Sequence, residues 1–155
     1  MHEPRPTRVL FLCTGNSCCS QMAEGWARHL HPALLNPCSA GTQPKEVDPR
    51  AVQAMAEAGV DISSQRSKSI AVCEPDTLDV VITVCDAAAK SCPTHVGRAR
   101  IVRQSFDDPP RLAASASTDE EAMAHYRRVR DEIRDFIQIL PQMLPAERER
   151  SDHWA

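Results

Sequence analysis

The chain has 155 residues, 42% of them apolar and 25% charged, a size and balance that suit one globular domain with a single core. Its net charge is −3 with no cluster of Lys or Arg, which argues against nucleic acid or an anionic membrane as partner. No apolar run approaches the roughly 20 residues a membrane span needs, and Met1 to Thr7 is polar and lacks the apolar region of a signal peptide.

These features predict a cytoplasmic protein. Thiols are kept reduced there, so the seven cysteines are not expected to form a structural disulfide framework. An odd, high count in that compartment indicates metal binding, redox chemistry or small buried side chains.

Arg8-Val9-Leu10-Phe11-Leu12-Cys13 predicts a strand buried on both faces. It stops at Thr14-Gly15-Asn16-Ser17, a turn composition, and a helix with Met22, Ala23, Trp26 and Leu30 on one face follows. Asn36 to Gly41 predicts a second strand. In the next helix Asp48 is the N-cap, Pro49 the first helical residue and Gly59 the C′ residue. Ala51, Val52, Met55 and Ala58 recur between them at helical spacing.

Leu78 to Cys85 predicts a third strand and Arg100 to Phe106 a fourth. Thr118 and Glu121 form a capping box that opens the longest helix. Its apolar stripe runs through Ala122, Tyr126, Val129, Ile133, Phe136, Ile137 and Leu140 to Pro141. Strands alternating with helices predict parallel βαβ units in an α/β sandwich. One domain spans residues 1–155, with 1–7 and 145–155 as loose ends, and Cys38 and Cys73 are packing residues.

The stretch from Cys13 to Gln21 is the most informative. A loop between a buried strand and a helix start gathers unpaired backbone N–H groups and suits an oxyanion. Cys13 at its head is expected to be held as thiolate by those N–H groups and the helix dipole, a nucleophile facing the bound anion. Gly15 is expected to permit the sharp turn, with Asn16 and Ser17 bracing it. An ordinary strand end and turn is the alternative.

Val9 to Trp26, with Leu-Cys-Thr-Gly-Asn-Ser-Cys and then Ser-Gln-Met-Ala-Glu-Gly-Trp, resembles the phosphate loop and first helix of thioredoxin-coupled arsenate reductases, which share the fold of low-molecular-weight tyrosine phosphatases. The similarity continues at Ser39-Ala40-Gly41, Asp48 to Gly59 and Asp61-Ile62-Ser63. It resumes at Val81 to Pro93, Phe106-Asp107-Asp108-Pro109 and Arg128 to Ile133, and so covers most of residues 8–140 in order. The fold implied is a single-domain three-layer sandwich, a four-stranded parallel sheet flanked by helices.

The resemblance also implies roles. Cys13 attacks arsenate, Cys85 attacks Cys13 and releases arsenite, and Cys92 then attacks Cys85. The Cys85–Cys92 disulfide is reduced by thioredoxin. Asp108 protonates the leaving oxygen, although an Asp-Asp-Pro triplet also suits a turn or helix cap. Thr14, Gly15, Asn16, Ser17, Cys18, Cys19 and Ser20 line the anion. No cofactor is expected, and the partners are arsenate, arsenite and thioredoxin.

The sequence departs from the family pattern twice. The loop should read Cys, five residues, Arg, and the arginine's place is taken by Cys19, which has neither the charge nor the paired donors. No neighbour in sequence is an evident substitute, since Arg28 falls about two turns into the helix. A low-molecular-weight tyrosine phosphatase is the second reading, weakened by Pro110-Arg111 where phosphatases of this fold carry aromatics. An arsenite-binding protein using Cys13, Cys18 and Cys19 is the third. Second, some relatives bind potassium through an Asn, a Glu, a Ser and an Asp. Asn16, Glu24 and Ser39 match, but Lys68 stands at the Asp position, so no metal site is expected.

Overall fold

Residues 5–91 and 98–144 are described in the computed structural model of the chain. Strand β1 (Thr7–Cys13) lies inside a four-stranded sheet of order β2-β1-β3-β4, with β2 (Leu35–Gly41), β3 (Val80–Thr83) and β4 (Arg100–Arg103) all parallel. Alternation along β1 divides the core. Val9, Phe11 and Cys13 face one apolar cluster, and Leu10 and Leu12 face the other. Pro37 is tolerated because β2 is an edge strand.

The first cluster is covered by α1 (Cys19–Leu30), α2 (Pro49–Glu57), a short α4 (Pro109–Ala113) and α5 (Asp119–Met143). The second is covered by α3 (Asp86–Ser91) and a 3-10 turn at Ile70–Cys73. The result is the expected three-layer sandwich. Packing holds α5 in place: Val129, Ile133 and Ile137 are fully buried, and each contributes about 1.5–3 kcal/mol.

The predicted caps form. Asp48 accepts from Arg50 N–H at 2.9 Å. Gly59 takes φ +85 behind α2, with Val60 N–H on Met55 O at 2.9 Å and Gly59 N–H on Ala56 O at 3.0 Å, a Schellman ending. Thr118 accepts from Glu121 N–H, whose carboxylate reaches back to Ser117 N–H rather than to Thr118.

Three boundaries differ from expectation. Residues 5–7 are not loose: Thr7 is buried in β1, and the Arg5 guanidinium pairs with Asp79 at 2.6 Å. Strands β3 and β4 are shorter than predicted, so Cys85 stands just past the end of β3. Helix α5 runs through Pro141 to Met143. Proline has no N–H for the carbonyl four residues back, and His31 Nε2 donates to that Ile137 carbonyl at 3.0 Å instead.

Candidate active site

With β2 on one side of β1 and β3 on the other, the chain leaves β1 at the point where strand order reverses. Parallel sheets bind ligands in the crevice beyond their carboxyl ends at such a point. Cys13 ends β1 there, and the segment after β3 brings Cys85 to the same crevice. The two cysteines line a cavity of about 420 Å³ with Thr14, Ser17, Cys18, Cys19 and Asp108.

The loop is tied from outside. The carbonyls of Cys13, Thr14, Gly15 and Ser17 accept from the N–H groups of Thr42, Gln43, Lys45 and Asp48 at 2.8–3.1 Å. The Asn16 carbonyl accepts from Ser67 Oγ and Gln21 Nε2. With the carbonyls so engaged, the N–H groups of Gly15, Ser17 and Cys18 have no acceptor among the described residues, the polarity an anion cradle requires. Gly41 permits the close passage: a Cβ there would lie 2.6 Å from Thr14 O. The left-handed residue of the turn is Asn16, φ 50. Asn tolerates this region better than most residues, and its amide is anchored at both ends, to Ser20 Oγ at 2.9 Å and Lys68 N–H at 2.9 Å.

Cys13 Sγ meets Asn16 N–H at 3.2 Å and Ser20 Oγ at 2.9 Å. The Asn16 N–H is one of the donors expected to stabilise a thiolate, and it works against burial. Burial pushes the Cys13 thiol up, and the hydrogen bonds from Ser20 and Asn16 only partly offset it. A cation beside the sulfur would reverse this, and position 19 holds a cysteine. The Cys19 thiol instead donates to Asp107 O at 3.5 Å. Cys18 is pushed well up by the neighbouring Cys19 thiol and by burial.

Cys85 is a free, half-buried thiol 3.7 Å from Thr14 Oγ1, with Ala88 N–H on its sulfur at 3.4 Å. Cys92 lies outside the described residues. Cys38 and Cys73, expected only to pack, are joined by a disulfide with Cα atoms 6.1 Å apart. They belong with the cluster on the face of the sheet opposite Cys13. Among the described residues no group of three His, Cys, Asp or Glu side chains is arranged to hold a metal ion, so the loop thiols do not form a three-sulfur trap.

The two adjacent aspartates have different duties. Asp107 is paired with Arg128 at 2.9 Å. Asp108 precedes Pro109 at the start of α4, yet its carboxylate makes no capping hydrogen bond and lines the cavity. Burial pushes its carboxyl up, and the charges of Arg111 and Lys45 pull it part of the way back. A carboxyl shifted this way holds a proton longer, as a general acid must.

Lys68 does not project freely into solvent. Its ammonium lies 3.5 Å from Glu24 Oε1, the oxygen that also accepts from Ser39 Oγ at 2.7 Å. Arg28 takes the other oxygen at 2.8 Å. Of the groups that match the relatives' potassium ligands, Glu24 thus already faces an ammonium, while Asn16 Oδ1 accepts from the Lys68 backbone N–H at 2.9 Å.

Residues 8–150 match the family model described as low molecular weight phosphotyrosine protein phosphatase. An arsenate reductase of Bacillus licheniformis is 47% identical over 132 residues, 83% of this chain and 91% of that protein. The chain belongs to this family, among its arsenate reductases. A solved arsenate reductase in the phosphate binding state superposes with a TM-score of 0.74 at 31% identity, covering 88% of this chain and 98% of its own. A low molecular weight protein tyrosine phosphatase from T. tengcongensis gives 0.70 at 25% identity, covering 89% and 99%.

Sequence reasoning missed two features of this arsenate reductase relative. Tyr126, assigned to the apolar stripe of α5, also donates its hydroxyl to Asp48 at 2.5 Å. Helical spacing registers the ring and is blind to the hydroxyl. Lys45 and Arg111 line the Cys13 cavity, although they lie 32 and 98 positions from Cys13 in sequence (45 − 13 and 111 − 13).

Proposed function

We propose that the chain reduces arsenate to arsenite in the cytoplasm, with Cys13 as nucleophile, Cys85 and Cys92 as relay thiols and a thioredoxin-type dithiol as final reductant. One observation carries the reading: Cys13, at the end of β1, and Cys85, just past the end of the neighbouring β3, open onto one cavity beneath the free N–H groups of the loop. Relatives named arsenate reductase support it.

The Cys13 thiolate attacks arsenic, forming an S–As bond, and one oxygen leaves as water with a proton from Asp108. The cradle of Thr14, Gly15, Asn16, Ser17, Cys18, Cys19 and Ser20 holds the remaining oxygens. The Cys85 thiolate then attacks the Cys13 sulfur. The S–S bond forms as the S–As bond breaks, its electron pair stays on arsenic, and arsenite departs. Cys92 attacks Cys85 and frees Cys13 as thiolate, and two electrons from the dithiol reduce the Cys85–Cys92 bond.

The test is arsenate-dependent NADPH oxidation with thioredoxin and its reductase, run beside p-nitrophenyl phosphate hydrolysis. Arsenate turnover without hydrolysis is expected, and the reverse would favour the phosphatase reading. Cys92→Ser should give a single turnover ending in a Cys13–Cys85 bond, read by peptide mapping. Multiple turnovers in that variant would refute the relay.

A further inference from the structure

Without arginine at position 19, the thiol and the anion it attacks both lack a positive neighbour within the loop. Two cations outside the loop face the same cavity. Lys45 is fixed there by its own backbone, whose N–H bonds Gly15 O at 2.8 Å. Its stem lies against the loop, since a Cβ on Gly15 would come 3.4 Å from Lys45 Cδ. Arg111 reaches the cavity from α4, and both cations act on the Asp108 carboxyl.

Among the described residues no carboxylate is ion-paired with either side chain. Of the cavity's carboxylates, Asp107 is paired with Arg128 and Asp86 accepts from Ser105 Oγ at 2.7 Å. Asp108 is the carboxylate that feels both cations, and it is uncharged while it holds the proton it donates as an acid. Neither Lys45 nor Arg111 has a hydrogen-bonded or ion-paired side-chain partner among the described residues, and both are exposed.

We propose that Lys45 and Arg111 together replace the absent loop arginine, holding the outer oxygens of a tetrahedral oxyanion bound over Cys13. The inference rests on the oxyanion reading of the cavity given above. The ligand class is arsenate and its isostere phosphate. A clamp of two exposed, separately tethered side chains is screened by salt more than a buried guanidinium is, so anion affinity should fall with ionic strength.

The probe is inorganic phosphate, titrated calorimetrically into Cys13→Ser protein so that no turnover intervenes. Lys45→Met and Arg111→Met should each weaken binding about tenfold, as expected for losing a hydrogen bond to a charged group. The pair together should abolish most of the salt dependence, and Lys45→Arg should retain affinity. With Cys13 intact, the same changes should raise KM for arsenate. Unchanged phosphate affinity in the folded double variant, or a parent that binds no phosphate, would overturn the clamp. Loss of phosphate binding on substitution, in a chain that turns over no arsenate, would uphold the clamp and reject the reductase reading.

Discussion

Cys19→Arg should turn a slow enzyme into a faster one. Cys19 is the first residue of α1 and is buried against the cavity, its sulfur 3.5 Å from Asp107 O. A longer side chain there has about 420 Å³ of adjoining space to enter. A guanidinium at that place would lower the Cys13 thiol that burial now raises, and would hold two oxyanion oxygens as charge builds in the transition state. Restoring one such preorganised donor is worth about 2.7–4 kcal/mol, or roughly 100- to 1,000-fold in rate. The gain should lie at the lower end, because Lys45 and Arg111 already supply part of the charge. The assay is kcat/KM for arsenate, with the pH midpoint of Cys13 alkylation by iodoacetamide as an independent readout. A folded arginine variant with neither a lower alkylation midpoint nor a higher kcat/KM would refute the reasoning.

The pH profile follows from the two shifted groups. Reaction needs Cys13 as thiolate and Asp108 protonated, while the thiol sits above its ordinary range and the carboxyl is raised from a much lower one. The reactive form is then a small, constant fraction between the two values, so kcat/KM should be flat near neutrality with its alkaline limb above the ordinary thiol range. A Cys13 alkylation midpoint below the ordinary thiol range, a readout free of arsenate's own ionisation, would contradict the effect of burial. Opening the Cys38–Cys73 disulfide by Cys73→Ser removes a link between residues 35 apart, which on the chain-entropy account costs about 4 kcal/mol. The urea midpoint should fall, while single-turnover arsenite release is unchanged because the pair lies across the sheet from Cys13; an unmoved midpoint would count against it. Activity should not distinguish potassium from sodium, and Lys68→Asp should introduce a potassium-specific rise in melting temperature by replacing the ammonium at Glu24 with a fourth oxygen ligand. Potassium activation of the parent would refute the ammonium's role.

Where local chemistry decides structure, the sequence was readable. The α2 signals, Asp48, Pro49 and Gly59, all act within one helix and all hold. So does the Thr118 cap of α5. The buried strand β1 and the loop after it placed Cys13 correctly, because a parallel sheet buries its strands on both faces. What was missed depends on contacts between distant segments. Helices α3 and α4 span 6 and 5 residues, too short for an apolar stripe to mark them. Pro141 signalled a helix end, and α5 continues past it with the carbonyl the proline leaves unpaired taken by His31, more than a hundred residues away. The Cys38–Cys73 pairing follows from β2 and a 3-10 turn meeting on one face of the sheet. The left-handed residue could be either Gly15 or Asn16 by composition, and the amide anchors on Asn16 decide it.

Asp48 explains why a loop without its arginine is still shaped for an anion. One carboxylate oxygen caps α2 through Arg50 N–H, the other accepts from Tyr126 of α5, and its own N–H holds Ser17 O at 2.8 Å. Burial and this carboxylate together drive the Tyr126 hydroxyl far above its ordinary range, so it remains a donor at any working pH. Ser67, Gln21 and Gly41 fix the loop from its other sides. None of these ties passes through residue 19. The arginine's place can therefore be taken by cysteine at the expense of charge but not of shape, since Asp48, Ser67, Gln21 and Gly41 do not line the cavity. For the same reason the Cys19→Arg substitution should be read in kcat/KM and in the Cys13 titration, with little movement of the melting temperature beyond what burying a larger side chain imposes.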